Sequence, residues 1–187
     1  DAKVQLDAAL ADLERVLEKN PANLDARFQR GLVQGYIAKL MKSPGDAKKA
    51  RKDFEAVLAQ RPDDALVLGA MGGWHGEAVA TLGKFLAGTA LGAREADALR
   101  YYDKAVAGTG GDPAVPVFYA STLLGLSPRN APRAKALLER AVKAPAADGF
   151  DRLMQANGRK ILAALNAGDV EEARAVARKL GPLGNAS

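Results

Sequence analysis

The chain has 187 residues, a formal charge of +5 at pH 7 and 48% hydrophobic residues, of which few are aromatic. This length fits one domain or one short helical array, and alanine and leucine must fill most of its core. The absence of cysteine excludes disulfides, thiol nucleophiles and cysteine-ligated metals. No apolar run approaches the roughly 18–20 residues that a membrane-spanning helix needs, so we expect a soluble protein without a membrane span.

The chain begins at Asp1 rather than at a methionine, within a segment that already has helical periodicity. Such a start is typical of a chain from which a leader or an upstream segment has been removed, so the periplasm or another exported location is favoured over the cytoplasm. This leading segment, residues 1–20, predicts a helix from Lys3 to Lys19. It has no partner helix before it, and we expect it to cap the fold or to pack against removed sequence.

The second predicted helix follows Asn23, a good N-cap residue, and runs from Leu24 to about Lys42. Large side chains recur along it every three or four residues, which places them on one face of the helix. These side chains are Phe28, Leu32, Tyr36 and Leu40.

The third predicted helix carries a pattern that the rest of the chain repeats. Small and large apolar residues alternate in it, a proline closes it, and the leading helix has the same spacing 41 residues earlier. The copies are Ala9, Leu13, Val16 and Pro21, then Ala50, Phe54, Val57 and Pro62, then Ala98, Tyr102 and Ala105, then Ala134, Leu138 and Ala141, and finally Ala173, Ala177 and Leu180. Gly31 and Gly72 each lie ten residues after a repeat proline. Glycine within a helix costs about 1 kcal/mol relative to alanine, so we expect these glycines to allow close helix packing.

Caps and breaks predict the remaining elements, for a total of about nine helices. Asp64 begins a helix that extends to about Leu86, and the segment from Gly88 to Gly92 predicts a flexible joint. Further helices are expected around Ala98–Val106, at Ala114–Leu126 after Asp112 and Pro113, at Ala131–Lys143 after the cap Asn130, from Asp148 onward, and from Asp169 to about Leu180, before Gly181 and Pro182.

The repeated pattern resembles the tetratricopeptide repeat family, whose units are pairs of antiparallel helices of about 34 residues. Gly31 and Gly72 match the small residue of the first helix in that family. The second helix and the turn between helices are matched by Ala50, Phe54 and Pro62 and by the segment from Leu165 to Ala173. The resemblance covers nearly the whole chain. It implies a single all-α domain, a right-handed α-α superhelix of antiparallel helix pairs, with pairs at residues 24–62, 64–107, 113–145 and 148–181 after the leading helix.

No set of residues in the sequence indicates catalysis. His75 is the single histidine, and the nearby acids Glu77 and Asp97 are not at the spacing of metal ligands on a helix. No nucleophile motif accompanies it. The glycine-rich loop at residues 108–111 has neither a preceding strand nor a following Gly-Lys-Ser/Thr, so it does not match a phosphate loop. We therefore predict a non-enzymatic protein with no cofactor and no metal.

The densest basic cluster surrounds the turn between the second and third helices. It consists of Lys39, Lys42, Lys48, Lys49, Arg51 and Lys52. A solvated helix surface accounts for these charges, because exposed basic residues help keep proteins soluble. Weak nucleic-acid binding through residues 39–52 is an alternative, and it would weaken steeply as salt rises.

The resemblance also implies a binding face, because the first helices of such repeats line a concave surface. Phasing each first helix by its small residue predicts a groove lined by Phe28, Leu32, Tyr36, Gly73, Trp74, His75, Glu77, Tyr119 and Leu123. Burial in the core is the alternative for each aromatic residue. We predict a scaffold or adaptor that binds a partner peptide or helix in this groove. A small-ligand site near Trp74 and His75, a purely structural subunit and an accessory subunit of a transport or export system are the other hypotheses.

Overall fold

The computed structural model describes residues 2–181, and this part of the chain has an all-α fold. Nine α-helices lie in this range: α1 (Ala2–Lys19), α2 (Leu24–Met41), α3 (Pro44–Leu58), α4 (Ala65–Leu86), α5 (Glu95–Gly108), α6 (Ala114–Leu126), α7 (Ala131–Ala141), α8 (Gly149–Asn166) and α9 (Val170–Leu180). The predicted all-α class and helix number are confirmed. From α2 onward, each helix packs most closely on its neighbour to form the pairs α2/α3, α4/α5, α6/α7 and α8/α9, and α1 packs on α2.

Polar side chains fix where most of the helices begin. Asn23, Asp64, Asp148 and Asp169 each accept hydrogen bonds from backbone N–H groups in the first turn of the helix that follows, as predicted. Asn130 does not cap α7 as the sequence suggested. Its side-chain amide donates to the carbonyl of Leu123 at 3.0 Å, and a 3₁₀ turn at Pro128–Asn130 leads into α7 instead.

The repeated residues form the same kind of contact in successive pairs. In the first pair, a Cβ added to Gly31 would lie 2.6 Å from the ring of Phe54; in the second pair, one added to Gly72 would lie 2.6 Å from the ring of Tyr102. In both pairs, an aromatic ring of the second helix thus fills the space that a side chain of the first helix would otherwise occupy. The second-helix positions of all four pairs are buried, including Ala50, Ala98, Ala134 and Ala173.

A buried ion pair strengthens the first helix pair. The carboxylate of Asp53 in α3 is almost fully buried and accepts two hydrogen bonds of 2.7 Å from the guanidinium of Arg30 in α2. Just after the end of α3, Arg61 contacts Asp25 in the first turn of α2 at 2.6 Å. The start of α2 therefore lies beside the end of α3, so the two helices are antiparallel.

Small residues also bring neighbouring pairs together. Gly69 and Gly76 of α4 face Val115 and Thr122 of α6, and a Cβ on Gly76 would lie only 2.2 Å from the Thr122 methyl carbon. Between the third and fourth pairs, the amide of Gln155 in α8 donates to the carbonyl of Ala141, the last residue of α7, and to that of Ala144 in the turn that follows. The pairs are thus joined both by close packing and by hydrogen bonds.

The predicted flexible joint after α4 is wrong. Gly83 has a φ of 78° and a ψ of 158°, which interrupts the helix, and Ala87–Leu91 then forms a π-helical turn. Ala87 and Leu91 are buried in the same apolar cluster as Trp74. The sequence suggested flexibility because of its glycines, whereas tertiary packing holds the turn in place.

The contact between Gly72 and Tyr102 predicts a large effect of one methyl group. Gly72→Ala should lower the free energy of unfolding by about 1–3 kcal/mol, because the buried ring must move to admit the new Cβ. Urea denaturation followed by circular dichroism measures this change.

Gly35→Ala is the matched control within a first helix. A Cβ there would meet only the Cβ of Ala50, at 3.9 Å. This substitution should be neutral or stabilise the fold by up to about 1 kcal/mol through helix propensity. Equal destabilisation by the two substitutions would contradict the role given to the Gly72 contact.

Candidate functional site: an apolar groove between first helices

An open cavity of about 330 Å³ is lined by residues of three first helices, α2, α6 and α8, and by the end of α9. We call it the groove. Its lining is mostly apolar and consists of Tyr36, Phe118, Phe150, Leu153, Met154, Asn157, Leu180 and Gly181. Residues far apart in the sequence therefore share one concave surface.

The first turn of α8 supplies the exposed apolar wall of the groove. Asp148 caps this helix, and Phe150 and Leu153 follow, 52% and 55% exposed. The ring of Phe150 lies 6.4 Å from that of Phe118 in α6. Met154, one residue after Leu153, is buried. The helix thus has a core-facing stripe and, beside it, two large apolar side chains that remain about half exposed.

Polar groups border the groove on the side of α2. Tyr36 is half-buried, and burial raises the pKa of its phenol. Three residues further along α2, Lys39 forms a 3.0 Å salt bridge with Glu77 of α4, and both side chains are exposed. Thr81 donates a hydrogen bond to the same carboxylate. A partner in the groove would therefore meet apolar walls and one charged edge.

Of the predicted groove residues, Tyr36 is the one that lines this cavity. Glu77 is exposed beside it, whereas Phe28, Leu32 and Gly73 are half-buried. Phe28 packs within the first helix pair, with its ring 6.0 Å from that of Phe54. The four remaining predicted residues, Trp74, His75, Tyr119 and Leu123, are buried.

Trp74 and His75 face the core and support the turn after α4. The indole N–H of Trp74 donates to the carbonyl of Ala47 at 2.8 Å, which ties α4 to α3. Nδ1 of His75 accepts a hydrogen bond from the backbone N–H of Arg94, and its ring stacks on Tyr101 with 5.7 Å between centroids. The predicted ligand site beside these residues is thus occupied by protein atoms.

Tyr119 and Leu123 face the second helices rather than the groove. The Tyr119 ring stacks on Tyr102 at 4.6 Å, nearly parallel, and its hydroxyl donates to Asp103 at 2.9 Å. On α6 it is instead Phe118, one residue earlier, that lines the groove. The phase assigned to α6 from the sequence was therefore off by about one residue, or roughly 100° around the helix.

The sequence reasoning missed the contribution of α8 to the groove. Phe150, Leu153 and Met154 all belong to the apolar pattern of this predicted helix, but none of them was assigned to the groove. The available signal was the width of the apolar stripe on α8, which is larger than packing against one neighbouring helix requires. Which part of that stripe is covered depends on the positions of α6 and α9, and local periodicity does not contain this information.

Within residues 2–181, no group of three or more histidine, cysteine, aspartate or glutamate side chains is placed to hold a metal ion. Burial lowers the pKa of His75 to about 4, so this residue is neutral near pH 7. Over the same range of residues, no helix has both the length and the apolar character to cross a membrane.

The basic cluster is partly neutralised by acidic neighbours. Salt bridges join Lys39 to Glu77, Lys49 to Asp46 and Arg51 to Glu55. No salt bridge in the described part of the chain involves the other members, Lys42, Lys48 and Lys52, which are exposed. The cluster therefore leaves three charges available to an anionic partner, fewer than the sequence suggested.

Comparisons of the chain with protein-family models, curated proteins and solved structures find no match.

The buried, neutral His75 predicts a pH dependence of stability. Its pKa is about 4 in the folded chain and near 6.5 in the unfolded chain, mainly because of burial and also because of Arg51 and Arg100, against the opposing effect of Asp97. The unfolded state therefore binds more protons between these values. The stabilisation is complete above about pH 6.5 and falls by about 1.4 kcal/mol per pH unit as the pH drops towards 4.

Urea denaturation at a series of pH values tests this slope. His75→Asn retains an acceptor for the N–H of Arg94 but does not titrate, so the variant should be less stable at pH 7 and should show a flatter profile between pH 4 and 6.5. A variant with the same slope as the original chain would show that another group causes the dependence.

Proposed function

We propose that this chain is a non-enzymatic protein–protein interaction module of the tetratricopeptide-like type, and that it binds an apolar segment of a partner protein in the groove. The observation that carries the proposal is the open cavity lined by Tyr36, Phe118, Phe150 and Leu153. Exposed large apolar side chains that cluster around a concavity are typical of binding sites. Gly31 and Gly72 pack in the same way against aromatic rings of the second helices, which supports the assignment of repeats.

The shape and chemistry of the groove favour a particular kind of partner. Its apolar walls come from α8 and from single residues of α2 and α6, and a partner helix or extended segment that presents spaced apolar side chains fits such a surface. The Lys39–Glu77 pair at its edge offers both a donor and an acceptor to polar groups that flank this segment. Rim charges of this kind contribute to orientation more than to affinity.

A small apolar ligand is a second candidate occupant. The cavity volume of about 330 Å³ lies at the lower end of the range for ligand pockets, roughly 300–1,000 Å³. Because the cavity is open along one side, a small ligand would keep much of its surface in water. The peptide therefore remains the better fit.

Selection from a random peptide library displayed on phage tests the proposed function. With the chain immobilised, we expect enrichment of peptides with spaced large apolar residues. Synthetic versions should bind at least about tenfold more weakly to the double variant Phe150→Ser, Leu153→Ser, because central apolar contacts carry most of the energy of an interface. Fluorescence anisotropy of a labelled peptide measures the affinity.

Leu66→Ser provides the control. Leu66 is 52% exposed, as Phe150 is, but it lies in the first turn of α4 and does not line the groove. This variant should bind the peptides with unchanged affinity. Selection that enriches no apolar peptide, or peptides that bind the double variant as tightly as the original chain, would overturn the proposed function.

A further inference from the structure

A second exposed apolar surface lies at the end of α4, away from the groove lining. Phe85 is 78% exposed and Leu86 is 55% exposed, and the side chain of Leu82, three residues before Phe85 in the sequence, is also exposed. We call these three residues the apolar knob. Such adjacent large apolar side chains on a protein surface are typical of interaction sites.

The backbone holds the knob in place. Gly83, with a φ of 78°, breaks the helix between Leu82 and Phe85. The turn that follows is anchored through Ala87, which is completely buried, and through the carbonyl of Leu91, which accepts a 3.1 Å hydrogen bond from Arg51. Lys84 forms a 2.7 Å salt bridge with Glu95. The exposed side chains are therefore presented by an ordered turn.

Basic side chains lie on α3, which contacts this turn, and next to neighbouring segments. Lys48 lies one turn before Arg51, the residue that bonds Leu91, and Lys52 lies one turn after Lys48. Lys42 follows the end of α2, and Arg94 lies just beyond the turn. These four side chains are exposed and form no salt bridge within residues 2–181.

The acidic side chains on the same elements are neutralised. Each is in a salt bridge: Asp46 with Lys49, Glu55 with Arg51, Glu77 with Lys39, Glu95 with Lys84, and Asp97 with Arg100. The unpaired charge around the knob is therefore positive, and it comes from Lys42, Lys48, Lys52 and Arg94. Protruding apolar side chains among excess basic residues suit the interface of an anionic bilayer.

We propose that the apolar knob docks this protein on the surface of a membrane that contains anionic lipids. Phe85 and Leu86 enter the boundary between headgroups and acyl chains, and the four basic side chains contact lipid phosphates. The knob projects from the surface, whereas the groove is concave, and this shape favours a deformable bilayer over a protein partner. The proposal does not depend on what the groove binds.

Cosedimentation with lipid vesicles tests the proposal. We expect the chain to bind vesicles made of equal parts phosphatidylglycerol and phosphatidylcholine and not to bind pure phosphatidylcholine. The double variant Phe85→Ser, Leu86→Ser should lower the partition coefficient at least about tenfold. Substitution of Lys42, Lys48 and Lys52 by glutamine should lower it about fivefold for each lysine, with a matching loss as salt rises.

Two further variants separate insertion from a general effect on the fold. Phe85→Trp should retain binding, because tryptophan favours the membrane interface. Leu66→Ser, at the opposite end of α4, should bind as the original chain does, and circular dichroism checks that every variant remains helical.

Three outcomes of the vesicle assay would overturn the proposal. They are the absence of binding to anionic vesicles, equal binding to both vesicle types, and unchanged binding of the Phe85→Ser, Leu86→Ser variant. Sedimentation velocity without lipid provides a further test. If the original chain self-associates and this double variant does not, the proposal is also overturned, because the knob would then bind a second copy of the chain.

Discussion

The packing of a first-helix glycine against a second-helix ring is the contact on which the rest of the structure depends. Gly31 admits Phe54, and Gly72 admits Tyr102, so each ring fills its own helix pair and the two backbones approach closely. Two of the chain's ten aromatic rings fill these junctions, and small and aliphatic side chains fill most of the remaining core. Tyr102 then stacks on Tyr119, which extends the packing from the second pair into the third.

This mode of packing separates the residues that support the fold from those that face solvent. Second helices supply buried alanines and rings to the core, whereas first helices retain one face that the pairs do not cover. On that face Tyr36, Phe118 and Phe150 come together, although they belong to three different pairs. The knob at Phe85 has another origin, because a break at Gly83 directs it outward. One chain thus has two apolar surfaces with different shapes and different surrounding charges.

The sequence predicted the helices well because their signals are local. Periodicity, and caps such as Asn23 and Asp169, depend on residues a few positions apart. The groove was predicted poorly because exposure depends on distant packing. His75 is buried by Tyr101 and by the backbone of Arg94, and the phase of α6 that exposes Phe118 is set by contacts with α4 and α7. The break at Gly83 and the π-helical turn after it also have no periodic pattern in the sequence. The glycines of this segment therefore predicted a flexible joint.

We propose that the first helices of the helix pairs carry the binding face. Amide chemical-shift mapping of the isotope-labelled chain, titrated with a peptide obtained by phage selection, tests it most directly. We predict that the largest shifts fall in α2 near Tyr36, in α6 near Phe118 and in the first two turns of α8. Shifts concentrated on the second helices α3, α5 and α7, or on the turn around Phe85, would contradict this account of the binding face.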